Sequence, residues 1–214
     1  MKKHTFLGIS GTAGSGKDLF CKILLSKAPS FKKYSLANKL KEEMREPLLK
    51  KYDIDILNCS RNQKDQVRHE LVSYGASKRR ETQGRHWIEQ LNPQLKDLTH
   101  PACITDIRYD DYDFDEAFWL KNELGGLLIH ISRFEFLNNN KKFIEAPNEE
   151  EGRNNPKLKD KADYLVEWPS FEDNIEECAG AYVDTFLQWL NGYNESFGKE
   201  TIEVLKGQPT DLED

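Results

Sequence analysis

The chain has 214 residues, 37% of them hydrophobic and 32% charged, with a formal net charge of −6. That length suits one domain with a single substantial core, and the surplus of charge implies a heavily solvated surface. A net acidic chain lacks the broad basic face that duplex DNA or RNA needs, so no nucleic-acid partner is expected and any phosphate binding has to be local.

Met1, Lys2, Lys3 and His4 lead straight into a strand-like segment instead of a secretory signal, and no run reaches the eighteen or so apolar residues of a membrane span. A cytoplasmic protein with no membrane partner is the expectation. Apolar, β-prone segments predict strands at 5–10, 31–36, 102–106, 127–132 and 163–168. Helical patterns fall between them at 17–27, 37–51 with a break at Pro47, 62–73, 85–98 and 115–124. In the last of these, Asp115 and Glu116 suit the positive end of the helix dipole, and Gly125-Gly126 can form the left-handed stop. A closing amphipathic helix at 171–190 places Ile175, Cys178, Ala179, Tyr182, Val183, Phe186 and Leu190 on one stripe.

One stretch breaks the alternation. Residues 138–161 are polar, with three consecutive asparagines and the run Glu149-Glu150-Glu151-Gly152, and they predict a long loop of the kind that serves as a lid. The lid is placed at about 134–161, inside a core of 1–190, and the acidic tail 191–214 is expected to be loosely ordered. The cysteines at 21, 59, 103 and 178 show no metal-ligand spacing and read as reduced thiols.

Chemistry first appears after the first strand, where Gly11-Thr12-Ala13-Gly14-Ser15-Gly16-Lys17-Asp18 satisfies G-x-x-x-x-G-K with Asp in place of the usual Ser or Thr. Glycines let successive amides turn around phosphate oxygens, the following helix offers its positive end, and Lys17 can reach the outer phosphates. Gly11, Ala13, Gly14, Ser15, Gly16, Lys17, Asp18 and Leu19 form the candidate ATP-binding set. Asp18 reads either as a Mg²⁺ ligand or as a first-turn residue favoured by the helix dipole.

Asp106, ending the third strand, is the second candidate for holding Mg²⁺ or its waters, the alternative being a buried turn cap. Arg108 lies just beyond it, and its planar fork suits a second phosphate that is not transferred. A basic cluster containing Arg80, Arg85 and Trp87 suits a nucleoside monophosphate, although helix ends also collect arginines and Trp87 reads equally as a core anchor. Arg133 and Arg153 are candidates for a lid that stabilises transferring charge and excludes water.

In order along the chain, these motifs, with Leu36-Ala37-Asn38-Lys39-Leu40-Lys41-Glu42, Gly75 and Thr105-Asp106-Ile107-Arg108, resemble the phage-type deoxynucleoside monophosphate kinases over roughly residues 5–190. The resemblance implies a P-loop, adenylate-kinase-like core, ATP with Mg²⁺ as donor, and deoxynucleoside monophosphates as acceptors. By position it implies that Lys17 holds the transferring phosphate, that Lys39 or Lys41 and Arg108 face the acceptor, and that Arg133 serves the lid. The chain departs from the pattern at Leu19, in the inserted segment at 110–114, and at Ala146-Pro147-Asn148-Glu149 in the lid.

The expected architecture is therefore α/β: a P-loop NTPase three-layer sandwich with a five-stranded parallel sheet and a lid, of nucleoside monophosphate kinase type. The expected reaction is ATP-dependent phosphorylation of (deoxy)nucleoside monophosphates to diphosphates. Another small-molecule P-loop kinase, such as one acting on phosphomevalonate, and a non-catalytic nucleotide-binding module are the alternatives. Base identity and homodimer formation stay open.

Overall fold

The computed structural model describes residues 6–196, so most of the tail expected at 191–214 lies outside the described residues. Six strands form one mixed sheet. β1 (Phe6–Ser10) pairs in parallel with β3 (Ala102–Ile107) on one side and β4 (Leu127–Leu137) on the other. β2 (Lys32–Ser35) adds to β3, and β6 (Tyr164–Pro169) adds to β4, both in parallel. Residues of β1, β3 and β4 are buried on both faces, which is why these strands read as continuous apolar runs.

The sixth strand corrects the purely parallel five-stranded expectation. β4 runs on to Leu137, past the expected end at Ser132, and β5 (Asn140–Phe143) folds back antiparallel against it, setting Phe134 opposite Phe143. Asn138 and Asn139 make the turn at φ of 50° and 62°, a conformation asparagine tolerates better than most residues.

Helices cover both faces. On one, α1 (Lys17–Lys27) and α8 (Ile175–Ser196) bring Phe20, Leu24, Val183 and Phe186 against Leu7, Ile9 and Ile129. Side chains buried this fully stabilise the fold by about 1.5–3 kcal/mol each. The closing helix starts later than expected, leaving Ile175 and Cys178 exposed while Ala179, Val183, Phe186 and Leu190 carry the buried stripe. On the other face, α5 (His86–Leu95) and α6 (Glu116–Phe118, continuing as a π-helical turn at Trp119–Glu123) pack Trp87, Ile88, Trp119 and Leu120 against Ile104 and Leu128.

Three helical expectations change. α2 (Ala37–Tyr52) continues through Pro47 without a break. Pro47 is exposed, so water can satisfy the carbonyl it frees, while Met44 and Leu48, one turn apart, keep the buried stripe continuous. The helix expected at 62–73 is two: α3 (Arg61–Gln66), opened by a reciprocal Ser60–Gln63 capping box, and α4 (Arg68–Glu81), which restarts after the fully buried Val67. The polar stretch expected as a loop contains β5 and α7 (Glu149–Lys161). Asn148 caps α7, and Glu151, Asn154 and Leu158 give it a buried face that overrides the low helix propensity of Gly152 and Pro156.

All four cysteines are free thiols, with Cys21 and Cys103 facing each other in the core at an Sγ–Sγ distance of 3.5 Å. Among the described residues no helix is long and apolar enough to cross a membrane.

Candidate functional site

The loop joining β1 to α1 has the backbone its glycines predict. Gly11, Gly14 and Gly16 sit at φ of 137°, 87° and 94°, where a side chain is strained. The space is closed as well, since a Cβ on Gly11 would stand 2.3 Å from the Ile131 carbonyl oxygen and one on Gly16 would stand 2.6 Å from the Trp168 ring. Trp168 Nε1 donates to the Ser15 carbonyl at 2.8 Å, fixing the loop from behind.

Lys17 opens α1 and is 5% exposed. Among the described residues no hydrogen-bond acceptor meets its ammonium group. Burial, and after it the charge of Arg108, lower its pKa, against the opposing pull of Asp106, Asp18 and Glu151. A desolvated cation at the start of a helix that follows a glycine-rich loop is suited to phosphate. Asp18 is exposed on the first turn of α1, and Leu19 packs its side chain toward the core.

Asp106, the last but one residue of β3, stands at φ 67° beside an irregularity in the β1–β3 register, a backbone position that costs about 1–3 kcal/mol in a non-glycine residue and is typical of functional sites. One carboxylate oxygen accepts from Ser35 Oγ at 2.8 Å and the other from Arg108 Nη2 at 3.0 Å. Burial pushes Asp106 up, but Arg108, Lys17 and Lys41 outweigh it and hold the carboxyl well below its ordinary range. The second fork nitrogen of Arg108 donates to Glu151 Oε1 at 2.9 Å.

Beyond Arg108 a cavity of about 110 Å³ opens between α2, α3, α4 and α5. Leu36, Leu40, Leu71, Val72 and Trp87 give it an apolar wall, and Lys41, Lys64, Arg68 and Arg108 bring cations to it. Neither Lys41 nor Lys64 meets a carboxylate within salt-bridge distance among the described residues. Lys64 is half-buried, and burial followed by the charge of Lys41 lowers its pKa. An apolar wall with unneutralised lysines suits an organic anion.

The remaining predicted residues divide between this cavity and other places. Trp87 lines the cavity and is also a buried core residue, with Nε1 directed at the Gly75 carbonyl at 3.4 Å. Arg133 is near the loop, its Nη2 4.0 Å from where a Cβ of Gly14 would be, and its Nε is buried without a partner among the described residues. Lys39, by contrast, pairs on the surface with Glu42 at 3.3 Å, and Lys41 is the lysine of that segment that reaches the cavity. Arg85 pairs with Glu123 at 2.6 Å at the base of α5. Arg153 pairs with Asp111 at 3.0 Å, tying α7 to the segment after β3. Arg80 is exposed and lines a separate cavity, while its neighbour Arg79 is 4% exposed and forks onto Asp115 at 2.7 and 2.9 Å.

Lys64, Arg68 and Glu151 went unnoticed in the sequence. A signal existed for the first two, one helical turn apart in a segment otherwise read only for amphipathicity. Glu151 had one too: Asn148 followed by three glutamates marks a helix start.

Among the described residues no group of three or more His, Cys, Asp or Glu side chains could hold a metal ion by itself. Three carboxylates lie near Lys17, and with Glu151 engaged by Ala13 N–H and Arg108, Asp106 and Asp18 are the two left to serve as donors. That set fits Mg²⁺, which takes one or two carboxylates and completes its shell with water and phosphate oxygens.

No family model matches the chain, and no curated protein matches it. Among solved structures it is similar to TT1252 from Thermus thermophilus, at 15% identity over 87% of this chain and 98% of that one with a TM-score of 0.41. It is also similar to a dephospho-CoA kinase from Campylobacter jejuni, at 13% identity over 91% of this chain and all of that one, again with a TM-score of 0.41.

Proposed function

We propose that the protein is a P-loop kinase that transfers the terminal phosphoryl group of ATP to a (deoxy)nucleoside monophosphate. The observation that carries this reading is the position of Arg108. It lines the crevice beside Gly11 and Thr12 of the phosphate loop and also the cavity bearing Lys41 and Lys64. One guanidinium thus faces both a donor site and an acceptor site.

In this reading the loop amides and Lys17 hold the outer phosphates of ATP, and Lys41, Lys64 and Arg108 hold the phosphate of the acceptor. Leu36, Leu40 and Trp87 shelter its ring. An acceptor phosphate oxygen attacks the terminal phosphorus while the bond to the bridging oxygen breaks, so ADP leaves and no side chain is modified. Asp18 and Asp106 would hold Mg²⁺, which supplies neutralisation of phosphate charge when bound. Arg133, beside the loop, adds positive charge where the transferring group develops negative charge.

An ADP-release assay with ATP and Mg²⁺ across the nucleoside and deoxynucleoside monophosphates tests the assignment. Turnover is expected with a subset of the panel, and a flat response across it would exclude this acceptor class and leave other phosphorylated small molecules as candidates.

A further inference from the structure

The phosphate loop already holds an anion, and that anion belongs to the chain. Glu151 Oε2 accepts the Ala13 amide hydrogen at 2.9 Å, and Glu151 Oε1 accepts from Arg108 Nη1 at the same distance. Glu151 is 6% exposed, and Asn148 steadies it by capping the Glu151 amide at 2.9 Å. A carboxylate on a loop amide takes a hydrogen bond that a phosphate oxygen would otherwise receive. Its charge also repels a polyphosphate at close range.

The way α7 is fastened separates its two ends. Leu158, in the C-terminal half, is buried in the core beneath α5 and α6. The first turn is held by the polar contacts of Glu151, while Arg153, Asn154 and Lys157, further along the helix, all bond Asp111. Polar contacts of this kind exchange for a ligand more readily than a buried apolar anchor.

We infer that Glu151 is an internal competitor for the donor phosphates, and that binding of ATP lifts the first turn of α7 away from the loop and releases Arg108 toward the acceptor cavity. The inference rests on the phosphate-loop reading above. Because Arg108 serves both sites, coupling runs in both directions: an acceptor phosphate that engages Arg108 loosens Glu151 and raises the affinity for ATP, as linkage requires.

The test is the Kd of MgATP measured by calorimetry for the wild type, Glu151→Gln and Glu151→Ala, combined with amide hydrogen exchange of the wild type with and without MgATP. The isosteric Gln removes the charge and keeps the shape; it should tighten binding about tenfold, with Ala at least as tight. In the wild type, amides at 149–153 should lose protection when MgATP binds. A wild type that binds MgATP with the same affinity as both variants overturns the inference and leaves the phosphate-loop reading standing. Protection at 149–153 retained on binding overturns it equally, whether or not the variants fold. Absence of MgATP binding by wild type and variants alike removes the inference and the phosphate-loop reading together.

Discussion

Trp168, on the last strand, stands directly behind Gly16 of the first loop, 153 positions away from the Ser15 carbonyl to which its indole donates at 2.8 Å. The glycine-rich loop is therefore set by two distant stretches of the chain meeting, not by its glycines alone. A Cβ at Gly16 would lie 2.6 Å from the ring, at a φ of 94° that already disfavours side chains. Gly16→Ala should lose about 2–4 kcal/mol of stability, from the left-handed backbone and the overlap together, and should bind ATP more weakly. Trp168→Phe keeps most of the packing and loses the hydrogen bond, at a cost of about 1–2 kcal/mol. Urea unfolding measures both, and a Gly16→Ala protein as stable as wild type would contradict the close approach.

Two adjacent arginines make opposite predictions. Arg79 holds the buried carboxylates Asp115 and Glu116, and its guanidinium lies 3.9 Å from the centre of the Tyr109 ring. Arg79→Ala strands those carboxylates, and unfolding experiments should find a loss of about 3–5 kcal/mol. Arg80 is exposed, so Arg80→Ala should remain within about 0.5 kcal/mol of wild type.

His130 predicts a specific dependence on pH. Burial, and after it the charge of Lys159, lower its pKa from 6.5 to about 4. Ser10 Oγ donates to the Ile129 carbonyl and is therefore the acceptor for His130 Nδ1–H, which leaves Nε2 buried with no partner among the described residues to share a second proton. The unfolded chain protonates this imidazole below about 6.5 while the folded chain resists until about 4, so the contribution is complete above the first value and is lost as the pH falls through the second. Stability should decline across that window by on the order of 3 kcal/mol, and His130→Gln should flatten the decline. Identical pH profiles for the two proteins would contradict the burial of a neutral imidazole.

Lys41 and Lys64 supply the contrast that tests the acceptor cavity. Replacing both with Ala should raise the KM for the acceptor about tenfold or more while leaving the Kd for ATP within about twofold of wild type. Lys39→Ala, removing a lysine that pairs with Glu42 on the surface, should change neither. Steady-state kinetics with the acceptor varied separates these outcomes.

Much of this site could be read in the sequence because its requirements are local. Gly11, Gly14 and Gly16 each occupy a backbone region that other residues enter at a cost, and the pattern shows this before any fold is known. Pro47 misled because a proline ends a helix only when the carbonyl it frees has nowhere to go, and exposure of that residue is a tertiary fact. The stretch 138–161 misled for a related reason: Gly152, Pro156 and its asparagines weaken a helix that Leu158, Asn154 and Glu151 then secure by packing on the rest of the molecule. Lys64 and Arg85 show where sequence reading of sites stops. Both are basic residues near helix ends, and only the presence of Glu123 beside one and a cavity beside the other separates a structural pair from a candidate ligand.

The most direct test of the central claim is titration calorimetry of the wild type and Lys17→Ala with ATP in the presence of Mg²⁺. One site per chain is expected in the wild type and a loss of affinity of tenfold or more in the variant, because removing Lys17 takes a buried cation from beside the loop. A folded wild type that gives no binding heat, or a Lys17→Ala protein that binds ATP as tightly as wild type, would contradict it.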